Sequence, residues 1–352
     1  MPKPLNPENK GLPYRWRFKH GAYYYRVPIQ QRSSWNNQVE FRLGKTKHEA
    51  YTTWSNRVEI IESAKDISAL LDRYTLEVIP YKSPKTRKSN LLAVENIRRV
   101  FGEMALGDIR PKDIYNYVSK RAKKRAAEMD RALLSHAFTK AVEWGYLDRH
   151  PFKGEVRIKE AVKKEKRYIE DWEIEEAISL KPRGPKDWIT RMMAAYVRLK
   201  LVTGLRMTDM LQLRPYDLKE DGLHVTPSKT QHSTGKRMII KFTPALSEAF
   251  QAALAARPFA IAPWVFCTRR GISYFNPDTA ECSGFNSLWQ RWMKRVINET
   301  EVELKFSERD IRAKTSSDIK NLDDASALLG HADSRVTSKH YRRKPEMVNP
   351  LK

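Results

Sequence analysis

The C-terminal half of the chain carries side chains that together could break a phosphodiester bond by covalent attack. Tyr341 follows His331 by ten positions in the segment LLGHADSRVTSKHYRR. A tyrosine hydroxyl has a pKa near 10, so attack at neutral pH requires a base or strongly positive surroundings. Cations placed around one phosphate would also stabilise a pentavalent transition state. The cationic residues upstream, in TGLRMTD, a Lys-Thr turn and RDIRAKT, are Arg206, Lys229, Arg309 and Arg312.

The spacing of these residues suggests a task for each. Arg206 follows Gly204, a predicted helix end, and its planar donor fork could hold phosphate oxygens, with Asp209 orienting it through a salt bridge. Lys229 lies between two predicted strands, where a flexible ammonium could protonate a leaving oxygen. Taken singly, Arg206 is better interpreted as one of many surface arginines, and for Lys229 a solvated turn lysine is at least as good an interpretation. The order of the whole set along the chain is what carries the interpretation.

The composition favours a polyanionic partner. The 352 residues include 66 Lys and Arg against 42 Asp and Glu, a net charge of +24. Such an excess is typical of nucleic-acid binding, although a basic protein at an acidic membrane surface is the alternative. Cys267 and Cys282 are the only cysteines, which excludes a disulfide framework. With no long apolar run, we expect a soluble intracellular protein of two or three domains, without a membrane partner.

Residues 1–62 are predicted to form a small α+β module. YRWRFKHGAYYYRVP reads as two strands around a turn at Gly21, FRLG as a third strand, and KTKHEAYTTWSNRVEII as a covering helix. Its alternating cations and aromatic residues suit contact with DNA, whereas an ordinary solvated sheet face is the alternative. The candidate DNA-binding residues of this module are Arg15, Arg17, Lys19 and Arg26.

Residues 63–152 are predicted to be almost wholly helical, and residues 153–167 to form a basic linker. Pro111 and Asp113 mark one helix start, and His136 is expected to be a packed or surface histidine. The segment KRAKKR is either a solvated helix end or a phosphate-contacting surface, and the net charge favours the second. A flexible basic strap between two domains suits a protein that encircles a duplex. The candidate DNA-binding residues here are Lys120, Arg121, Lys123, Lys124 and Arg125, with Lys163 and Lys164 in the linker.

Residues 168–352 are predicted to form a mostly helical domain with a small antiparallel sheet. Helical periodicity covers YIEDWEIEEAISL, WITRMMAAYVRLKLVTG, MTDMLQLRPYDL, ALSEAFQAALAAR and SGFNSLWQRWMKRVI. DGLHVT and KRMIIKFT read as strands joined by the turn-rich PSKTQHSTG. The predicted fold class is therefore multidomain and mainly α.

With TGLRMTD, the turn lysine, RDIRAKT, LLGH and the terminal tyrosine in this order, the chain resembles a tyrosine recombinase of the phage-integrase type over its whole length. The resemblance implies an arm-binding module, a helical core-binding domain and a catalytic domain. It also implies DNA cleavage through a 3′-phosphotyrosyl intermediate and a free 5′-hydroxyl, with strand exchange through a Holliday junction and no metal, ATP or other cofactor. The implied partners are double-stranded DNA attachment sites, further copies of the chain in a homo-tetramer, and accessory DNA-bending protein and excisionase. The implied setting is the cytoplasm of a bacterial host.

By the same resemblance Tyr341 would be the nucleophile, Arg206 and Arg312 would hold the non-bridging oxygens, Lys229 would protonate the departing oxygen, and His331 would hydrogen-bond the phosphate. One position departs from the family pattern, in which the second box reads His-x-x-Arg, because Arg309 occupies the histidine position. An arginine can donate a hydrogen bond and favour phenolate by its charge, but it cannot accept a proton. The acceptor of the tyrosine proton is thus left open among His331, water and the phosphate.

Alternatives to these interpretations remain at the level of sequence. A shifted register would make Arg309 the phosphate-binding arginine and put Phe306 in the histidine position. A non-catalytic DNA-binding regulator predicts loss of a key residue, and none is lost. A metal-dependent nuclease finds support only in Glu303-Leu-Lys305, a pattern expected by chance in so charged a chain. A topoisomerase would share the chemistry, and the basic N-terminal module favours an integrase.

Overall fold

The computed structural model describes residues 9, 12–29, 32, 35–58, 66–158, 167–228, 235 and 237–345. The chain divides into two compact units, Met1–Lys163 and Lys164–Lys352. This boundary falls inside the predicted basic linker, 153–167. The finer division into an arm-binding module, a core-binding domain, a linker and a catalytic domain stays a prediction.

The first unit begins with a three-stranded antiparallel sheet covered by one helix. The strand order is β1-β2-β3, and His20 and Gly21, both with positive φ (49° and 69°), make the tight turn between the first two strands. Aromatic side chains form a separate small core, with Trp35 and Trp54 rings 5.0 Å apart. The three strands and the helix predicted here are present: β1 Trp16–Lys19, β2 Ala22–Arg26, β3 Glu40–Gly44 and α1 Lys47–Val58.

The remainder of the first unit, as described over residues 66–158, is mostly helical, as expected. Asp66 caps its first helix by accepting from Ala69 N at 2.8 Å, and Pro111 opens another, where the Asp113 carboxylate accepts from Arg110 N at 2.9 Å. His136 is a packed residue, hydrogen-bonded to the Tyr74 hydroxyl at 2.8 Å. Its α-helices in these described residues are α2 Ile67–Glu77, α3 Pro84–Phe101, α4 Pro111–Lys120 and α5 Lys124–Glu143.

The second unit is mostly helical with a small antiparallel sheet, in agreement with the expected fold class. The sheet order is β4-β5-β6, and the residues between β5 and β6 include the predicted Lys-Thr turn. Its elements are α6 Asp171–Ser179, α7 Trp188–Thr203, α8 Met207–Met210, β4 Leu218–Lys219, β5 Gly222–Val225, β6 Met238–Lys241, α9 Pro244–Ala255, α10 Ser283–Glu299, α11 Glu308–Asp318, α12 Leu322–Leu328 and α13 Ser334–Tyr341.

One predicted helix was wrong. The segment MTDMLQLRPYDL forms only the single-turn α8, then an irregular stretch and a short 3₁₀ turn at Pro215–Asp217. Arg214 precedes proline and is extended (φ −115°, ψ 154°), as expected because the proline ring disfavours the helical region for its neighbour. Met210, Leu211 and Leu213 are buried all the same. Their helix-like spacing reflects burial of an irregular segment.

Helix α7 is the central scaffold of the second unit. It is buried over most of its surface, with Met193, Tyr196, Val197 and Leu199 at 0% exposure. Packing of this kind fixes where α7 ends, and the segment TGLR follows directly from that end. Within the described residues, no helix is both long and apolar enough to cross a bilayer.

Candidate active site

The site begins at the left-handed turn that ends α7. Gly204 has φ +59°, and a Cβ added there would lie 3.0 Å from Leu329 Cδ2 and 3.3 Å from Thr315 Cγ2. A side chain at this position would therefore meet both backbone strain and crowding. The turn directs the chain to Arg206, the N-cap residue of α8. It also exposes the Gly204 carbonyl to α11.

Arg312 is the buried centre of the site. It is 3% exposed and projects from α11, donating to the carbonyls of Gly204 and, at 2.7 Å, Leu329. Its Cζ lies 5.3 Å from the Tyr341 ring centroid. Burial, and then the charge of Arg206, lower the pKa of Arg312 to about 10, so the guanidinium remains charged at neutral pH. One arginine thus connects the ends of α7 and α12 to the tyrosine.

His331 follows Gly330, whose φ of +64° ends α12 as its sequence position predicted. His331 Nε2 lies 3.3 Å from an Arg312 nitrogen, and Nδ1 lies 2.7 Å from Thr337 Oγ1. Because a guanidinium only donates, Nε2 must be the acceptor, which places the ring proton on Nδ1. In this arrangement the Nε2 lone pair faces the guanidinium.

Tyr341 is the last residue of α13 and lies among the cations. Its ring centroid is 5.0 Å from that of His331 and 5.8 Å from Arg309 Cζ. Burial acts to raise the pKa of Tyr341, but the charges of Arg312 and Arg309, a hydrogen bond from Arg312 and the charge of Arg206 outweigh it. The net effect is a pKa below the ordinary tyrosine value, which favours the phenolate nucleophile.

Arg309 and Arg312 differ in their surroundings. Both lie on α11, but Arg309 is exposed whereas Arg312 is enclosed. Phe306 is buried in the core and its ring packs 6.2 Å from that of Trp289. These positions favour the register in which Arg312 binds phosphate and Arg309 occupies the family's histidine position.

Asp209 contacts Arg206 and also Ser228, the residue before Lys229. One carboxylate oxygen lies 3.9 Å from Arg206, a long ion pair, and the other accepts from Ser228 N at 2.9 Å and Ser228 Oγ at 2.6 Å. Ser228 immediately precedes Lys229, and Lys229 lies outside the described residues. Asp209 therefore holds both the arginine and the start of the lysine-bearing turn. The contact with Arg206 is the one that the sequence suggested, and the contact with Ser228 was not anticipated.

The predicted DNA-binding residues of the N-terminal sheet fall into two groups. The exposed side chains of Arg15, Arg17 and Arg26, together with Arg32, line a depression of about 500 Å³. Lys19 instead forms an ion pair with Glu40 and packs over the Tyr24 ring. Four guanidinium groups around one depression form a site suited to phosphate oxygens. Lys19 is already neutralised within the fold.

In the KRAKKR segment the basic residues are also unequal. Arg121 pairs with the buried Asp130 at 3.0 Å, and Lys124 donates to the Ser119 carbonyl at 2.6 Å at the end of α4. These two residues stabilise the α4–α5 connection. Arg125 pairs with Glu128, and Lys120 and Lys123 are exposed, so phosphate contact stays a prediction for these residues. The linker residues Lys163 and Lys164 lie outside the described residues.

Sequence reasoning missed a buried ion pair beneath the site. Lys200 on α7 is fully buried, pairs with Glu308 at the start of α11, and donates to the Leu205 carbonyl at 2.7 Å. The pair connects the segment before Arg206 to the helix of Arg312. A lysine in the apolar run LKLVTG was the available signal, because buried lysines require a partner. Among the described residues, no group of three or more His, Cys, Asp or Glu side chains is placed to hold a metal.

Comparisons with known proteins find related chains. The model of the phage integrase family matches residues 167–347. The integrase of Escherichia phage HK022 is 24% identical over 260 residues, 67% of each chain, and the integrase of Enterobacteria phage 434 is 24% identical over 245 residues, covering 63% of this chain and 64% of that relative.

Two solved structures share the fold. A lambda integrase tetramer bound to a Holliday junction matches with a TM-score of 0.62 and 19% identity, covering 97% of this chain and 98% of the other. The Tn1549 transposon integrase in complex with circular intermediate DNA matches with a TM-score of 0.61 and 16% identity, covering 80% of this chain and 97% of the other. The family match spans just over half of the chain, and it covers Arg206, Arg312, His331 and Tyr341. The chain therefore belongs to the phage integrase family and is a site-specific tyrosine recombinase.

Proposed function

We propose that the protein cleaves and rejoins double-stranded attachment sites through a covalent bond between Tyr341 and a DNA 3′ phosphate. Attack forms the Tyr341 Oη–phosphorus bond and breaks the bond from phosphorus to the 5′ oxygen. The departing oxygen takes a proton, for which Lys229 is the proposed donor, and leaves as a 5′-hydroxyl. The observation that carries the proposal is the packing of Tyr341 against Arg312, with Arg309 and Arg206 adding positive charge.

Arg206 and Arg312 are the proposed ligands of the non-bridging oxygens. Arg312 is buried with its carbonyl partners already in place, so little reorganisation is needed when a phosphate arrives. Asp209 is proposed to position both Arg206 and the turn of Lys229. The contacts of the two arginines with the phosphate would strengthen as negative charge develops on it.

His331 is the proposed acceptor of the Tyr341 proton. Its hydrogen bonds support a neutral ring with the Nε2 lone pair directed toward Arg312, beside the tyrosine ring. To take the proton, Nε2 would have to release its hydrogen bond from Arg312; once protonated it would be a donor and could hydrogen-bond the phosphate. The same residue would thus serve both tasks, while Arg309 supplies charge but cannot take a proton.

Assembly and setting are proposed by analogy with the relatives. Lambda integrase has been solved as a tetramer on a Holliday junction, and we propose a homo-tetramer of this chain on its own sites. Integration and excision of a mobile element in the cytoplasm of a bacterial host, at the nucleoid, are the proposed outcome. A DNA-bending protein and an excisionase are candidate accessory partners.

A nicked suicide substrate incubated with the protein in EDTA tests the proposal. After cleavage the short fragment that carries the new 5′-hydroxyl diffuses away. The strand cannot then be rejoined, which should trap the protein on a DNA 3′ end. A regulator would give binding without an adduct, and a metal-dependent nuclease would give no cleavage in EDTA. Attachment to a 5′ end would contradict the proposed chemistry.

A further inference from the structure

The segment that follows Tyr341 is fastened to α11, the helix that carries Arg309 and Arg312. Arg342 donates to the carbonyls of Ile319 at 2.7 Å and Lys320 at 2.8 Å, just beyond the C-terminal end of α11. These carbonyls belong to the helix end that cationic side chains stabilise. The first residue after the tyrosine is thus anchored at one end of α11.

The second residue after the tyrosine reaches the opposite end of the same helix. Arg343 has a buried side chain, 7% exposed, and pairs with Asp310, in the first turn of α11, at 2.6 Å. Asp310 is itself held, because its other oxygen accepts from Ser307 N at 2.7 Å and Ser307 Oγ at 2.6 Å. The hydrogen bonds of Ser307 and Arg343, with the charge of Arg343, overcome the effect of burial and lower the pKa of Asp310, so its carboxylate is charged at neutral pH.

A third contact lies between these two anchors. Ser317 Oγ is 3.1 Å from the Tyr341 carbonyl oxygen and accepts from Arg343 N at 2.9 Å. The tyrosine carbonyl and the backbone two residues later are therefore both fixed to α11. Ser317 is buried, so this contact is shielded from water.

We infer that Arg343 and Asp310 are positioning residues that hold Tyr341 in attacking geometry against the phosphate-binding arginines of its own chain. This inference rests on the proposed role of Tyr341. Asp310 lies between Arg309 and Ile311 in the first turn of α11. The ion pair therefore fixes the position of the tyrosine backbone relative to the helix that carries the phosphate-binding Arg312. Losing the pair would leave the hydroxyl and the site cations present but free the tyrosine to move, and misplacement by about 1 Å can cost on the order of 10²-fold in rate.

The test measures the rate of covalent adduct formation on the suicide substrate, and DNA binding separately, for Arg343→Ala, Asp310→Asn and Arg343→Lys. We expect the first two variants to form adduct about 10²-fold more slowly with unchanged binding. Arg343→Lys should recover part of the rate, because its ammonium can still pair with Asp310. Since the residues act as one unit, Arg343→Ala/Asp310→Asn should be no slower than Arg343→Ala alone.

Arg335→Ala is the matched control, since Arg335 lies on the same helix as Tyr341 and pairs with Asp333 at 3.0 Å on the exposed surface. It should cleave at the wild-type rate. Wild-type adduct rates in Arg343→Ala or in Asp310→Asn would overturn the inference, even if only one of these variants folds. If the proposed role of Tyr341 as nucleophile were wrong, the result would be a different one, because Tyr341→Phe would then still yield adduct.

Discussion

At the scale of single residues, the account depends on how a tyrosine becomes reactive without a histidine at the usual second-box position. Arg309 and Arg312 lie within 5.8 Å of the Tyr341 ring, and their charges lower the pKa of its hydroxyl despite burial. A lowered pKa means that more phenolate is present at any pH below it. The two arginines therefore replace part of the work of a base.

Arg309→Ala should shift the pH dependence of cleavage. Removing this cation raises the pKa of Tyr341, so the phenolate fraction at neutral pH falls and the rise of the rate moves to higher pH. Part of the lost activity should return as the pH approaches the ordinary tyrosine pKa of about 10. Arg309→His should retain substantial activity, since histidine matches the family pattern. The measurement is the pH profile of adduct formation, and a profile of Arg309→Ala parallel to wild type would show that Arg309 does not activate the tyrosine.

At the scale of elements, the site depends on the packing of α11 against the end of α7. The buried Lys200–Glu308 pair and the Arg312–Gly204 hydrogen bond both cross this contact. A buried charge that loses its partner is strongly destabilising, because the remaining charge is not solvated. The elements that carry the arginines are thus held together by interactions within the protein.

Glu308→Gln should lower the free energy of unfolding of the second unit by about 3 kcal/mol, since Lys200 would remain buried without an opposite charge. Glu303→Gln is the control, because Glu303 is exposed and precedes the same helix. Its effect should stay within about 0.5 kcal/mol. Denaturant unfolding of both variants measures the difference. Equal stability of the two would mean that the buried pair does not hold α11.

The sequence was sufficient to predict five of the six strands in the described residues and most of their helices, but not the short β4. Periodicity identified α6, α7, α9 and α10, and Gly204 and Gly330 marked real helix ends. It failed at MTDMLQLRPYDL, where burial of an irregular segment produced a helical spacing. The Arg343–Asp310 pair spans 33 positions. No local sequence pattern predicts such a contact, because it depends on how the segment after α13 packs against α11.

At the scale of the whole molecule, the predicted DNA-binding cations are not equally available to DNA. Arg15, Arg17 and Arg26 face one depression in the N-terminal sheet, whereas Lys19, Arg121 and Lys124 are engaged by neighbours within the fold. The first group has hydrogen-bonding capacity available for phosphate. Net charge alone would have treated the two groups alike.

Replacing Arg15, Arg17 and Arg26 together by alanine should impair binding to distal arm sites and leave cleavage of a core site intact. Each lost phosphate contact should also reduce the salt dependence of arm-site binding, by roughly 0.9 in the slope of log affinity against log salt. Lys19→Ala is the control and should leave both the footprint and the slope as in wild type. An unchanged distal footprint in the triple variant would show that this depression does not bind DNA.

The most direct test of the central claim compares wild-type protein with Tyr341→Phe on the nicked suicide substrate. The substitution removes one hydroxyl and no charge, so binding to the core site should be unchanged in a mobility-shift assay. The account predicts a covalent complex on the DNA 3′ end with wild-type protein and none with Tyr341→Phe. A complex of normal yield from Tyr341→Phe would contradict the account, because another residue would then be the nucleophile.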